Sequence, residues 1–360
     1  MTSPLTNNPE IPSSPPPRLL AILREAKRVL IIGHQNPDGD ALGSALALAL
    51  ALKALGGPES AKESGNSLGP GIEVIVGYNG AFPSSLDFLT QGKDFVRRVP
   101  FGHDLRERFD LMVLVDCLAP FRVWPEAEAL PLDSFPPFVV IDHHSDPLKT
   151  SCLSSFVNHL ASATAEQVFK VITDLGAEFT PPIVEALLAA LISDTGSFSQ
   201  ANSTEECLRQ AAFLVSKGGN IEYINHFLKR NWPVTRMRLL TQALATIDLH
   251  HQGRVATMVV TQEMLNQTGS CVAETDGFVE YPLLLNGVDM VAFCKVNGQG
   301  QTRVSLRSRP GLDVRELARS FGGGGHTQAA AYMDDNPNPL EALEKLLSRL
   351  GTFNLPEKTG

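Results

Sequence analysis

The chain alternates between short, unbroken apolar runs and longer stretches of helical spacing, and that alternation predicts its architecture. Val29 to Ile32, IEVIVGY (Ile72 to Tyr78), LMVLVD (Leu111 to Asp116) and FVVIDHH (Phe138 to His144) read as buried strands. Ala41 to Leu55, ATAEQVFKVITDLG (Ala163 to Gly176) and PPIVEALLAALIS (Pro181 to Ser193) read as helices, the last with a Pro-Pro start suited to a helix N-terminus. Strands separated by helices predict a parallel sheet covered on both faces. Ala41 to Leu55 is apolar all round, which raises a membrane span. It is shorter than the roughly 20 residues a span needs, and Lys53 sits near its end, so burial against the sheet is expected.

Further on, TEECLRQAAFLVSKG (Thr204 to Gly218), NIEYINHFLKRN (Asn220 to Asn231) and a segment from Pro233 are helical patterns. The Gly218-Gly219 pair marks a helix stop and a connector. New strands come next at RVATMVVT (Arg254 to Thr261), DMVAFCKV (Asp289 to Val296) and TRVSLRS (Thr302 to Ser308), with helices at LDVRELARSFG and NPLEALEKLLSRL. The expected fold class is α/β. A doubly wound, mostly parallel domain over 18–217 is joined by a helical linker, 218–247, to a smaller α/β domain over 248–350. Residues 1–17 and 351–360 read as tails, and the Ser- and Gly-rich insert between Gly56 and Gly71 as disordered.

Composition narrows the function. A chain of 360 residues with 43% hydrophobic and 19% charged residues is ordinary for a globular protein of two domains. A net charge of -9 argues against a long duplex-binding surface, which needs an excess of Lys and Arg, but leaves room for a small anionic ligand. The five cysteines, Cys117, Cys152, Cys207, Cys271 and Cys294, contain no C-x-x-C pair, which reads as reduced thiols of a cytoplasmic protein. No secretory signal is evident, since Arg24, Glu25, Lys27 and Arg28 interrupt the first apolar residues.

Acidic and imidazole groups fall at the ends of the core elements. His34 comes just after the first run, with Asp38 and Asp40 in the loop behind it. Asp116 ends LMVLV; Asp142, His143 and His144 end FVVI; Asp194 ends ALLAALIS. In a parallel sheet such ends share one edge, where open α/β sheets bind ligands. Taken singly, each has a plainer reading. N-P-D-G-D can form an Asx turn and cap a helix, Asp194 can cap the next turn, and the histidines can simply close a strand. Recurrence at five element ends is harder to assign to turns. Such a set of side chains, oxygen and imidazole donors without thiolate, suits two divalent cations such as Mn²⁺.

H-x-x-x-D-x-D, the strand-end Asp116, D-H-H and the Asp of S-D-T-G, together with RVSLRS (Arg303 to Ser308) and GGGGH (Gly322 to His326), resemble the DHH phosphoesterase superfamily with its DHHA1 substrate-binding domain. Within it the chain is most similar to the nanoRNase/pAp phosphatase group, over about Arg18 to Met333. The resemblance implies one cation held by His34, Asp38 and Asp116, and a second by Asp40, Asp116, His143 and Asp194. It also implies that His144, Asp116 and Asp142 are catalytic, with Asp142 orienting an imidazole and His144 facing the phosphate. Activated water would attack phosphorus, so Cys117 would have no nucleophilic role. In the second domain the resemblance selects Arg307, Ser308, Gly325 and His326 as substrate contacts, with Arg309 a weaker candidate.

The activity so implied is hydrolysis of short single-stranded oligoribonucleotides to mononucleotides and of pAp to AMP, with no long duplex and no membrane as partner. A homodimer is left open. Other readings are a cyclic-dinucleotide or single-strand DNA phosphodiesterase of the same superfamily, or a non-catalytic nucleotide sensor. A dinucleotide-binding Rossmann site is excluded because G-H-Q-N-P-D-G-D is not G-x-G-x-x-G, and a Walker NTPase because G-K-[ST] is absent.

Overall fold

The computed structural model describes residues 12–56, 71–146, 148, 150–230, 232–297, 300–325 and 327–350. The expected insert, the last tail, the first eleven residues and His326 lie outside them. The chain forms two compact units, Met1–Asn231 and Trp232–Gly360. Of the segment expected as a linker, residues 218–231 fall in the first unit and 232–247 in the second.

In the first unit six strands, β1 (Arg28–Ile32), β2 (Glu73–Tyr78), β3 (Val96–Arg98), β4 (Leu111–Val115), β5 (Phe138–Asp142) and β6 (Ser154–Val157), form one sheet of order β3-β2-β1-β4-β5-β6. Every pairing is parallel. Both faces are buried, which is why the central strands carry unbroken apolar runs. Val29, Ile31, Val113 and Val115 face the helices Gly39–Leu55, Thr164–Leu175 and Pro181–Asp194. Leu30, Ile32, Met112 and Leu114 face a second core built on Trp124 and Phe135, where the Trp124 indole donates to the Val99 carbonyl at 3.0 Å. β3 and β6 escape the sequence reading because they are edge strands of three and four residues with little apolar content.

The strand order reverses direction between β1 and β4, so a crevice opens beyond their carboxyl ends. Two glycines draw the helices tight there. A Cβ at Gly39 would stand 2.5 Å from the Ser193 Cβ, and one at Gly43 would stand 2.5 Å from the Ala186 carbonyl oxygen. Only hydrogen fits at that crossing, so the start of the Gly39–Leu55 helix lies against the end of Pro181–Asp194. No helix among the described residues is long and apolar enough to cross a membrane.

The second unit holds β7 (Asp248–His250), β8 (Val255–Val260), β9 (Met290–Val296), β10 (Thr302–Ser308), β11 (Gly324–Gly325) and β12 (Ala329–Asp334), in the order β11-β12-β10-β9-β8-β7. Among these strands only β8 and β9 pair in parallel. The expected helix over LDVRELARSFG shrinks to Arg315–Arg319, since Gly311 at φ 96 and Gly322 at φ 77 bound the segment with turns. NIEYINHFLKRN likewise gives a short helix, Ile221–Asn225, continued by a wider π turn, His226–Arg230.

Candidate metal-centred active site

Each acidic or imidazole group is placed by the end of an element. β1 stops at Ile32, and Gly33, whose Cβ would meet the Ala41 Cβ at 2.7 Å, lets the chain turn under the next helix to present His34. Asp38 is the N-cap of Gly39–Leu55: its Oδ1 accepts from Asp40 N and Ala41 N at 3.0 Å each. The turn-and-cap reading is therefore true of Asp38, yet its Oδ2 remains 3.8 Å from His34 Nε2. Asp40, expected in the loop, instead lies in the first turn of that helix and is 1% exposed. Helical winding begins earlier because the Asp38 cap starts it.

Asp116 comes directly after β4 with φ 54, a left-handed conformation that aspartate tolerates better than most side chains and that turns the chain sharply at the strand end. Its Oδ2 lies 3.4 Å from His34 Nε2, and its Oδ1 lies 3.5 Å from His143 Nε2 and 3.5 Å from His144 Nδ1. His143 Nε2 is also 3.7 Å from Asp194 Oδ2. The donor atoms of His34, Asp38 and Asp116 lie within 4.8 Å of one another, and so do those of Asp40, His143 and Asp194. Asp116, His143 and His144 form a third such group. Residues from five separate segments thus meet at one cavity of about 310 Å³, lined by His34, Gln35, Asp38, Asp116, Arg122, His143, His144 and Asp194.

Asp142 sits one layer behind. Its Oδ1 accepts from His143 N at 2.6 Å and His144 N at 2.9 Å, and faces His144 Nδ1 at 2.7 Å. Burial opposes its charge, but these bonds to His144 win and hold the carboxyl below its usual range. The same contact raises the His144 imidazole against the opposing pull of burial.

The charge balance of the centre tests whether a cation fits. Burial, then repulsion from Asp116 and Asp194, pushes Asp40 well above the carboxylate range. Burial pushes Asp194 up to about 6, with Asp116 and Asp38 adding to it against His143. His34 resists burial and rises to about 11 through its bonds to Asp116 and Asp38. Protons thus supply positive charge that this crowd of carboxylates demands, in a donor set of oxygens and imidazoles. Cys117 takes no part: burial lifts its thiol to about 12, and its Sγ donates to the Ala119 carbonyl at 3.2 Å. The residues fit a divalent cation.

Several supporting groups carry no motif and escape a sequence reading. Thr164 N and Ala165 N, at the start of Thr164–Leu175, donate to Asp40 at 2.6 and 3.1 Å, and Ser44 Oγ donates to it at 3.0 Å. Thr164 Oγ1 donates to Asp116 Oδ1 at 3.2 Å. Arg122 reaches the cavity from the short helix Pro120–Val123, whose end is tied to the loop carrying His34 by Gln35 N donating to the Arg122 carbonyl. The helix-opening Thr164 offers a faint signal in the sequence; Arg122 offers none.

In the second unit Arg307 Nε donates to Glu280 Oε1 at 3.1 Å. The Ser308 hydroxyl is buried and donates to the Leu312 carbonyl at 2.6 Å. Gly325, in β11, is exposed with φ 139, and a Cβ there would meet the Ala329 carbonyl at 2.5 Å. The Arg309 guanidinium is committed to the carbonyls of Val288, Leu283 and Leu285.

A β1–β4 crevice holding this Asp/His constellation, in a chain with a second, mixed-sheet unit, defines a class, and comparison of the chain with known families agrees. Residues 28–193 match the DHH family, N-terminal domain, and residues 255–353 match the DHHA1 domain. The chain belongs to the DHH/DHHA1 phosphoesterases and is a phosphoric ester hydrolase of that metal-dependent family. It is 32% identical over 346 residues to the bifunctional oligoribonuclease and PAP phosphatase NrnA of Thermus thermophilus, covering 93% of this chain and 95% of that one. It is 23% identical to the cyclic-di-AMP phosphodiesterase PdeA of Listeria monocytogenes, covering 93% of this chain but 49% of the relative. Among solved structures, an exopolyphosphatase-related protein from Bacteroides fragilis shares the fold with a TM-score of 0.78 at 24% identity, covering 93% of this chain and 95% of that one.

Proposed function

We propose that the protein hydrolyses short oligoribonucleotides to mononucleotides and pAp to AMP. The observation that carries the reading is the meeting of His34, Asp38, Asp40, Asp116, His143 and Asp194 at the strand-end crevice. The relative at 32% identity over nearly its full length, named as an oligoribonuclease and PAP phosphatase, supports the choice of substrates. His34, Asp38 and Asp116 would hold one divalent cation, and Asp40, Asp116, His143 and Asp194 a second, Mn²⁺ being the ion suited to this donor set. When bound, such ions lower the pKa of water and offset charge on a transferring phosphoryl group.

The chain's own groups do the rest. Asp142 fixes the His144 ring and favours its protonated form, so His144 can present positive charge and a proton to the phosphate. Arg122 adds a guanidinium on the same cavity wall. Water's oxygen forms the new bond to phosphorus, the bond to the leaving nucleoside oxygen breaks, and that oxygen takes a proton. Arg307, Ser308, Gly325 and His326 are the proposed substrate contacts of the second unit; Ser308, with its hydroxyl committed to Leu312, would contribute its backbone. The reduced thiols fit a cytoplasmic protein.

An Mn²⁺-dependent assay of the purified protein on pAp, a dinucleotide, a long single strand, pyrophosphate and cyclic di-AMP tests this. Turnover of pAp and the dinucleotide above the others is expected. Preference for cyclic di-AMP would move the protein toward the phosphodiesterase relatives, and nucleotide binding without any turnover would favour a sensor.

A further inference from the structure

β10 alternates about the second sheet: Val304 and Leu306 enter the core under the Pro339–Leu350 helix, whereas Arg303, Ser305 and Arg307 share the opposite face. The register of β9 against β10 sets Lys295 directly opposite Arg303. Like charges so placed repel. Neither side chain makes an ion pair among the described residues, although Arg254, Arg307 and Arg315 of the same unit each do. The Lys295 ammonium is half-buried and rests on the Thr275 hydroxyl at 2.6 Å, itself committed to the Val272 carbonyl. Burial depresses its pKa; Asp276, beyond ion-pair distance, opposes this, and Arg303 adds a smaller push in the direction of burial. A desolvated cation facing another cation, with donors left over, is costly unless something anionic joins it.

Between these cations and Arg307 the row passes Ser305, only 9% exposed, with the buried Phe293 opposite it on β9. Ala331 pairs with Ser305 and Ala329 with Arg307 on β12, so small side chains flank the row, and Met333, opposite Arg303, is 41% exposed. Four residues of strand separate Arg303 from Arg307, about 13 Å. One phosphate cannot span that. We propose that Lys295 and Arg303 form a second phosphate subsite, which takes an internal phosphodiester of a single-stranded oligonucleotide whose other phosphate is held at Arg307. This rests on the oligonucleotide reading above and deepens it: the subsite rewards strands longer than a dinucleotide.

The test is binding of 3′-labelled dinucleotide and pentanucleotide RNA, by fluorescence anisotropy in EDTA so that nothing is cleaved. The wild-type protein should bind the pentanucleotide roughly 10-fold more tightly than the dinucleotide. In Arg303→Gln and in Lys295→Gln that ratio should fall toward one, with a shallower salt dependence for the longer strand. Arg303 is exposed, so its variant reports without disturbing the core. An unchanged ratio in both variants, or a wild-type protein indifferent to length, overturns the subsite. Failure of the wild-type protein to hydrolyse dinucleotide or pAp in Mn²⁺ would instead overturn the parent reading, and the binding ratio is read without turnover.

Discussion

Gly43 lies so close to Ala186 that a Cβ there would stand 2.5 Å from the Ala186 carbonyl oxygen and 2.9 Å from the Ala190 Cβ. This contact governs how near Asp38 and Asp40 come to Asp194, because they sit at the adjoining ends of the two helices. Replacing a mid-helix glycine by alanine ordinarily gains about 1 kcal/mol of helix propensity. Here the clash is with backbone, and overpacking of about 1–3 kcal/mol should win. Gly43→Ala is expected to lower stability in urea denaturation and to weaken Mn²⁺ binding by calorimetry. A stabilised variant with unchanged metal affinity would show that the helices have room to part.

In the proposed reaction Asp142 would act through His144, whose ring nitrogen it faces at 2.7 Å. Asp142→Asn keeps the shape but removes the charge that holds the ring and its proton. A fall in kcat of about 10–100-fold is expected, with little change in KM and a downward shift of the descending limb of the pH profile. A loss confined to KM would assign Asp142 to binding.

Without metal, stability should fall as pH rises. His34 goes from 6.5 to about 11 in the folded protein, so its contribution is complete below 6.5 and is lost as pH climbs toward about 11. Asp194, raised to about 6, has the same sign at lower pH, its proton adding stability only as pH falls below about 6. Asp38 and Asp142 are depressed and have the opposite sign, but their contribution is lost only on acidification below the usual carboxylate range. Between pH 7 and 9 His34 therefore contributes a decline, and Asp40 and His144, also raised, share its sign. The Tm of protein stripped by EDTA should decline over that range, the decline should flatten in His34→Gln, and Mn²⁺ should raise Tm more at pH 9 than at pH 7. A Tm of the stripped protein that is level or rising would contradict the assignment.

Arg122 and Cys117 flank the same strand end and should behave oppositely. Arg122→Gln should cost about 10–100-fold in kcat/KM, partly restored in Arg122→Lys if charge is what matters. Cys117→Ser should retain most of the wild-type turnover, since a thiol at about 12 is not a nucleophile at neutral pH. Steady-state kinetics on pAp and a dinucleotide read both; collapse in the serine variant alone would reverse the two roles.

How far these features could be read in advance depends on how local their causes are. Hydrophobic period marked β1, β2, β4 and β5 and the long helices, because a strand buried on both faces must be apolar throughout. The recurrence of Asp and His at element ends marked His34, Asp38, Asp116, His143 and Asp194, since parallel strands deliver their ends to one edge. Short edge strands such as β3 and the two-glycine β11 left no such trace, as their pairing is set by the neighbour rather than by their own residues. The amino-acid order by itself determined which groups could bind a cation and roughly where in the sheet they would stand. Only the tertiary structure decided that Gly43 brings two helices together, that the Thr164 and Ala165 amides cradle Asp40, that Arg122 reaches the cavity, and that Lys295 faces Arg303. Those are contacts between segments distant in the chain, fixed by packing and register, and no local pattern encodes them.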